Sequence, residues 1–309
     1  MERTTWLVCS SIALTLISNA PARSQLLPNP NDTNTTVQTS GNQFDISGGQ
    51  QAGGNLFHSF QQFDLTQGQI ANFQSNPSIQ NILSRITNGS PSSINGLLQI
   101  TGGNSNLYLM NPAGILFGPS ASLNLPAAFT ATTAQGIGLG DRWFNAWGQN
   151  NYSNLTGLPA QFAFTDVAGA IVNQGNLTLN PNQTLTFLGG QVVNTGNLKA
   201  PGGTVTIAAI PGEQLVKVSQ PGSLLNLALP LNVKTAVNPQ TITPASLPQL
   251  VTGGNLSNAT GITVQDGIVS LTGSGVRLPE QAGMVVANNS IDVSGRPGAK
   301  SISSARPLD

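Results

Sequence analysis

The amino-acid sequence predicts an all-β protein, a right-handed parallel β-helix with an N-terminal cap and extra-helical β elements, on three observations. Charged residues make up only 7% of the 309, against roughly 25% in an ordinary soluble domain, so the surface must be neutral and polar. Short runs of Val, Ile, Leu, Thr and Phe alternate with Gly, Asn, Pro and Ser every few residues, the pattern of many short strands closed by turns. The third observation is internal repetition. Gly169-Ala170-Ile171-Val172-Asn173-Gln174-Gly175-Asn176-Leu177 returns as Gly190-Gln191-Val192-Val193-Asn194-Thr195-Gly196-Asn197-Leu198, an offset of 21 residues.

A period of this size suits one coil of a solenoid, in which short strands and turns bring the chain back above its own start. Inward Val, Ile and Leu then form a continuous column, and outward positions need only be short and polar. On this reading Asn173 and Asn194 stack, and aligned Asn side chains hydrogen-bond along the column. Looser copies occur at Gly253 to Leu256 leading to Gly261 to Val264, at Gly267 to Leu271, and at Ser290 to Gly295. They predict coils close to the C-terminus.

Taken in chain order, residues 1–24 read as a secretory signal peptide. Trp6 to Ile17 is apolar with Ser and Thr interruptions, and Asn19-Ala20-Pro21-Ala22 and Arg23-Ser24-Gln25 follow it. Cleavage after Ser24 is preferred over cleavage after Ala22. About 12 apolar residues fall short of the roughly 20 that span a bilayer, so no stable membrane insertion is expected. The one cysteine, Cys9, lies in this segment, and the processed chain has no thiol for a disulfide or a thiolate metal site.

Residues 25–145 and 146–309 divide the remainder into a first module and further coils continuous with it. Two stretches break the rhythm and read as extrusions or loops: Asp141 to Gln161, with Trp143, Trp147 and Tyr152, and the proline-rich Pro211 to Gln249. Apolar residues at Ile79, Ile82, Leu83 and Ile86 have helical spacing, so a short helical turn is expected over Pro77 to Arg85.

Eleven basic and eleven acidic side chains cancel, and no basic run occurs, which sets aside nucleic acid and anionic membranes as partners. Asp45, Asp64, Asp141, Asp166, Glu213, Asp266, Glu280 and Asp292 are scattered rather than paired. His58 is the sole histidine, and alternation in Phe57-His58-Ser59-Phe60 puts it on the polar face in a structural role. No catalytic residue, cofactor or metal is expected. Trp143, Trp147 and Tyr152 either cap the solenoid or contact a partner or sugar ring.

One set of motifs in the first half goes further. Gly53-Gly54-Asn55-Leu56-Phe57-His58-Ser59-Phe60 is followed in order by Ala71-Asn72-Phe73, Ile79-Gln80-Asn81-Ile82, and Gly96-Leu97-Leu98. Asn106-Leu107-Tyr108-Leu109-Met110-Asn111-Pro112-Ala113-Gly114-Ile115-Leu116-Phe117-Gly118 and Phe129-Thr130-Ala131-Thr132-Thr133 come next. In order and spacing this resembles the filamentous haemagglutinin N-terminal domain, the two-partner secretion (TPS) domain, in its cyanobacterial-type form. The likeness runs over roughly residues 30 to 145 and more loosely through the repeats. Ala113 departs from the family's Asn-Pro-Asn-Gly-Ile, while Asn111, Pro112, Gly114 and Ile115 keep it.

The resemblance implies a pectin-lyase-like solenoid fold and a role in secretion, with Asn111, Pro112, Gly114 and Ile115 as the secretion motif. It also implies an outer-membrane TpsB-type transporter with periplasmic POTRA domains as partner, a secreted or cell-surface location reached through the periplasm, and an adhesin-like role on a cell-surface or polysaccharide target. From the residues alone the motif reads as a turn: Asn-Pro fixes an extended residue before a fixed φ, and Gly114 permits a left-handed one. Turn and transporter contact both stand as roles for it. Because parallel β-helices also host polysaccharide lyases, a polysaccharide-binding or polysaccharide-cleaving protein is the alternative. Family members commonly carry longer passengers, and the chain reads either as a short exoprotein or as a truncated one.

Overall fold

A computed structural model describes residues 26–164, 168–217, 226–230, 262–265, 268–271, 277–278, 285–287, 289–295 and 300–304. The expected signal peptide, the repeat copy at Gly253 to Leu256 and most of the proline-rich stretch lie outside the described residues.

The chain winds through three sheets in turn, and within each sheet successive coils pair in parallel. Asn55–Phe63, Asn81–Ile86, Asn106–Met110, Phe129–Thr132, Thr184–Gly189, Thr204–Ala209 and Lys300–Ser304 lie side by side in a 9-stranded sheet. Ser92–Ile94, Ile115–Phe117, Ala170–Asn173, Gln191–Asn194 and Val285–Ala287 form the second wall. The third is Gln43–Ser47, Ile70–Gln74, Leu97–Thr101 and Ser122–Asn124, followed by a separate sheet of Asn176–Thr178, Asn197–Lys199 and Ile291–Asp292. This is a parallel β-helix. The repeat copy at Ser290 to Gly295 belongs to it, because Ile291 pairs with Leu198.

The period-two alternation of each strand sends one set of apolar side chains to the axis. Ile46, Phe60, Phe63, Phe73, Leu98, Leu107, Ile115, Phe117, Phe129, Ile171, Phe187, Val192 and Ile207 form one continuous buried column. Phe63 stacks on Phe73 with ring centres 6.0 Å apart, and Phe117 stacks on Phe187 at 5.5 Å. Each such ring is worth about 1.5–3 kcal/mol through its removal from water. Amides line up along the stack as expected: Asn173 Nδ2 donates to Asn194 Oδ1 at 2.7 Å. A second ladder joins Asn106 to Asn81 and Asn81 to Asn55, and a third joins Asn124, Gln99, Asn72 and Asp45.

These ladders also measure the coils. Asp45 and Asn72 are 27 residues apart, Asn55 and Asn81 are 26, Asn81 and Asn106 are 25, and Asn173 and Asn194 are 21. The expected period therefore holds for the winding from Asn173 to Asn194, whereas the first coils are longer. Antiparallel strands at the N-terminal end close the axis: Leu26–Pro28 and Gln50–Ala52 pair with Asn55–Phe63, and Thr36–Ser40 pairs with Gln43–Ser47.

An antiparallel sheet interrupts the winding after Phe129–Thr132. Its strands run in the order Arg142–Asn145, Gly136–Leu139, Pro159–Phe164, Gln214–Lys217 and Asn226–Pro230. Most of the expected Asp141 to Gln161 extrusion lies in this sheet and its connections. The sheet packs on the outer side of the 9-stranded wall and makes a second core. Phe57, Leu83, Met110, Leu188 and Ala208 of the wall meet Ile137, Leu139, Phe144, Phe162, Phe164 and Val216.

Two expectations are corrected. Pro77 to Arg85 holds no helix: a single turn at Pro77 and Ser78, closed by Ile79 N–H donating to Asn76 O at 3.0 Å, leads into the strand Asn81–Ile86, all of which is buried. Ile82 and Ile86 point to the axis while Leu83 points to the second core, and a strand buried on both faces imitates helical spacing. The copies at Ile262 to Val264 and Ile268 to Leu271 are not successive coils. Ile262–Gln265 pairs antiparallel with Ile268–Leu271, which pairs with Arg277–Leu278. The two intervening residues are Asp266-Gly267, the pair that most favours a hairpin over a parallel return.

Candidate functional site

The segment Asn111 to Ile115 forms a corner between the first and second walls. Its Asn111 leaves the strand Asn106–Met110 with its backbone N–H still donating to Thr132 O at 3.0 Å. Its side chain then closes the turn: Oδ1 accepts from Ala113 N at 3.0 Å, and Nδ2 donates to Ser90 O at 2.9 Å and Ser92 Oγ at 3.0 Å. Gly114 adopts φ 128°, which only glycine takes readily, and its N–H donates to Asn111 O. Ile115 then enters the axial column. Every residue from Asn111 to Gly118 is buried. Ala113, where the family has Asn, has its backbone against Gly169: a Cβ on that glycine would lie 2.6 Å from the Ala113 carbonyl carbon.

A polar junction missed by the sequence reading lies on the outer side of the same wall. Arg85 is buried, with Asp32 as its ion-pair partner at 2.6 Å. Nε also donates to Ser59 Oγ at 3.2 Å, Nη1 to Asn145 O at 2.8 Å and Nη2 to Gly148 O at 2.9 Å. Tyr152 donates its hydroxyl to the other oxygen of Asp32 at 2.7 Å. Burial, first of all, pushes the Tyr152 phenol well above its ordinary range. One guanidinium thus joins the N-terminal cap, the second coil and the antiparallel sheet. No local spacing announces it, because its partners are 53, 60 and 63 residues away.

The three aromatics singled out from the sequence are divided by that sheet. Tyr152, 5.4 Å from Phe57 between ring centres, and Trp147 pack against the second core. Trp143 stands on the opposite, outward face and is half-buried. Its indole lies over two glycines of the neighbouring strand: a Cβ on Gly136 would meet Trp143 Cε3 at 3.2 Å, and one on Gly138 would meet Cη2 at 3.3 Å. Gln161 is on the other side of Gly138, in register with it.

His58 corrects a further expectation. It is fully buried instead of facing solvent, beside Phe73 at 5.8 Å and hydrogen-bonded through Nδ1 to Thr35 Oγ1 at 3.1 Å. Alternation was misleading here because both faces of the strand are covered: Phe57 enters the outer core, and Phe60 enters the axis.

Asp45, Asp64 and Asp292 lie apart, each with its own partners. Asp45 accepts from Gln43 and Asn72, and Asp64 accepts from Gln62 and from Ser93 N–H, with burial raising its pKa. Asp292 faces Lys199 at 3.3 Å, and hydrogen bonds from Ser294 hold its carboxyl down at about 2. Among the described residues, no group of three or more His, Cys, Asp or Glu is placed to hold a metal, and no helix is long and apolar enough to cross a membrane.

Comparison with known proteins gives one family match: the TPS secretion domain, over residues 24–276. Two solved structures are similar in fold. The HMW1 secretion domain from Haemophilus influenzae is 24% identical, with a TM-score of 0.46, covering 64% of this chain and 46% of that one. A filamentous hemagglutinin secretion domain is 17% identical, with a TM-score of 0.46, covering 66% of this chain and 68% of that one. The chain thus spans less than half the length of the HMW1 structure. No curated protein matches.

Proposed function

The chain belongs to the TPS secretion domain family, and on that premise we propose that it is the exported partner of a two-partner secretion system. Its signal peptide takes it to the periplasm, and a TpsB-type outer-membrane transporter recognises it through POTRA domains and releases it to the medium or cell surface. The observation that carries the reading is the burial of Asn111, Pro112, Gly114 and Ile115 inside the finished coil. A motif with no surface in the folded state can be read only before folding.

Recognition then works on extended chain, by pairing backbone to backbone, with little demand on side chains. A charged fraction of 7% and the lack of cysteine beyond Cys9 suit passage of an unfolded, uncrosslinked chain. Co-expression with and without a candidate transporter, followed by assay of the medium, tests export: accumulation only with the transporter is expected. Isolated POTRA domains should capture chain held unfolded in urea and not the folded protein. Release without the transporter, or undiminished capture of folded protein, contradicts the proposal.

Trp143 supports a second reading, an adhesive contact with a neutral cell-surface polysaccharide. Its indole lies over Gly136 and Gly138, with Gln161 in register on the other side of Gly138, an arrangement suited to the C–H face of a pyranose. Neutral hexasaccharides should quench tryptophan fluorescence in the full chain and fail to do so in Trp143→Ala. Incubation with acidic polysaccharides separates this from the cleaving alternative, and no chain shortening is expected.

A further inference from the structure

A second device, independent of the export reading, sits at the N-terminal end of the axis. Residues 29–35 fold over the first coil and, besides the outer contacts of Asp32 with Arg85 and Tyr152, are fastened to it at the consecutive positions His58 and Ser59. Asn29 N–H donates to Ser59 O at 2.9 Å, and Ser59 N–H donates to Thr33 Oγ1 at 3.0 Å. Thr33 Oγ1 is 2.6 Å from Thr35 Oγ1, which is hydrogen-bonded to His58 Nδ1. The imidazole is therefore the inner anchor of the cap.

That anchor has no provision for a positive charge. Its Nε2 is buried without a partner, and so is the hydroxyl of Ser84, its register neighbour in the next coil. Phe60 and Phe73 flank the ring. The charged groups on the elements around it are all directed elsewhere. Arg85 and Asp32 pair with each other on the outer side of the wall, Asp45 is bonded to Gln43 and Asn72, and Asp64 to Gln62 and Ser93. Leu26–Pro28, Gln50–Ala52 and Ile70–Gln74 carry no charge.

We infer that segment 29–35 is an acid-released latch: His58 takes up a proton only in a state where Thr33 and Thr35 have left the end of the coil and water reaches the ring. Burial agrees with this geometry, since it holds the imidazole down at about 3 instead of 6.5. The direction follows from proton counting. Between these two values the open state binds a proton that the closed state does not, so closure weakens tenfold for each unit that pH falls. Above the upper value the latch is indifferent to pH, and below the lower one it weakens no further.

Amide hydrogen exchange on the full chain tests this, with rates corrected for the intrinsic effect of pH. From about pH 6 to about pH 4 the protection of the Ser59 amide should fall roughly 70-fold, while that of Val193 in a distant coil does not follow. In His58→Leu the Ser59 amide should lose this dependence. If that variant does not fold, His58→Gln, which keeps a hydrogen-bonding group near Thr35 and does not titrate, serves instead. Protection of Ser59 that is constant with pH overturns the latch. So does an equal loss at Val193, which would mean that the molecule opens as a whole, or a dependence that persists without the imidazole.

Discussion

The axial column and the core beneath the outer antiparallel layer are both apolar, both buried and both built on the same wall, yet they are held together differently. Along the axis each coil is tied to the next by parallel ladders and amide rows whose partners lie 21 to 27 residues apart. The outer layer is tied down by Arg85, Asp32 and Tyr152, by Asn145 and Gly148 carbonyls, and by Asn55 donating to Leu155 O and Gly157 O, across 53 to 120 residues. The column is specified again in every coil, whereas the layer depends on a handful of single bonds. Damage to one should spread along the stack, and damage to the other should stay where it is made.

Substitutions can separate the two. The largest effect is expected for Phe73→Ala, which empties the axis beside Phe60 and Phe63 and should cost about 3–5 kcal/mol in denaturant unfolding, with protection falling in both layers. Arg85→Met strands the Asp32 carboxylate and should cost about 3 kcal/mol. Its loss of amide protection should be confined to residues 136–145 and the cap; equal loss at Val193 would show that the layers are not separable. Asn194→Ala takes from Asn173 Nδ2 its acceptor in the next coil, leaving it Gly175 O, and takes from the Gly196 carbonyl the Asn194 donor. A cost of about 1–3 kcal/mol is expected, read as a lower denaturant midpoint with the slope unchanged. Smallest is Trp143→Ala, at about 1 kcal/mol or less, because the ring covers two glycines on the solvent side.

The same contrast explains what the sequence made legible. The strand pattern, the 21-residue repeat, the stacking of Asn173 on Asn194 and the turn at Asn111 to Ile115 all rest on local chemistry, and all are present. The errors cluster on strands that the outer layer covers. Simple in-and-out alternation fails there, so it puts His58 on the polar face and makes Pro77 to Arg85 read as a short helical turn. Arg85 gives no signal, and Tyr152 stands out only as an aromatic, because the atoms that satisfy them belong to remote segments. Of the three aromatics, Trp143 alone kept an outward face, and only the pairing of Arg142–Asn145 with Gly136–Leu139 decides that.

The shortening of the coils has a consequence for how such a chain can grow. A turn lost from or copied into a stack is tolerated only where its circumference equals that of its neighbours, since otherwise every amide row falls out of line. Near the cap the windings run to 25, 26 and 27 residues and are filled by rings such as Phe60, Phe63 and Phe73, so a 21-residue copy does not fit among them. From Ala170–Asn173 to Gln191–Asn194 the winding shortens to 21 residues, and Ile171, Val192, Leu198 and Ile207 join Phe187 in the filling. That is where the one clear duplication in the sequence is found, and where insertion of a further copy should leave the rest of the stack undisturbed.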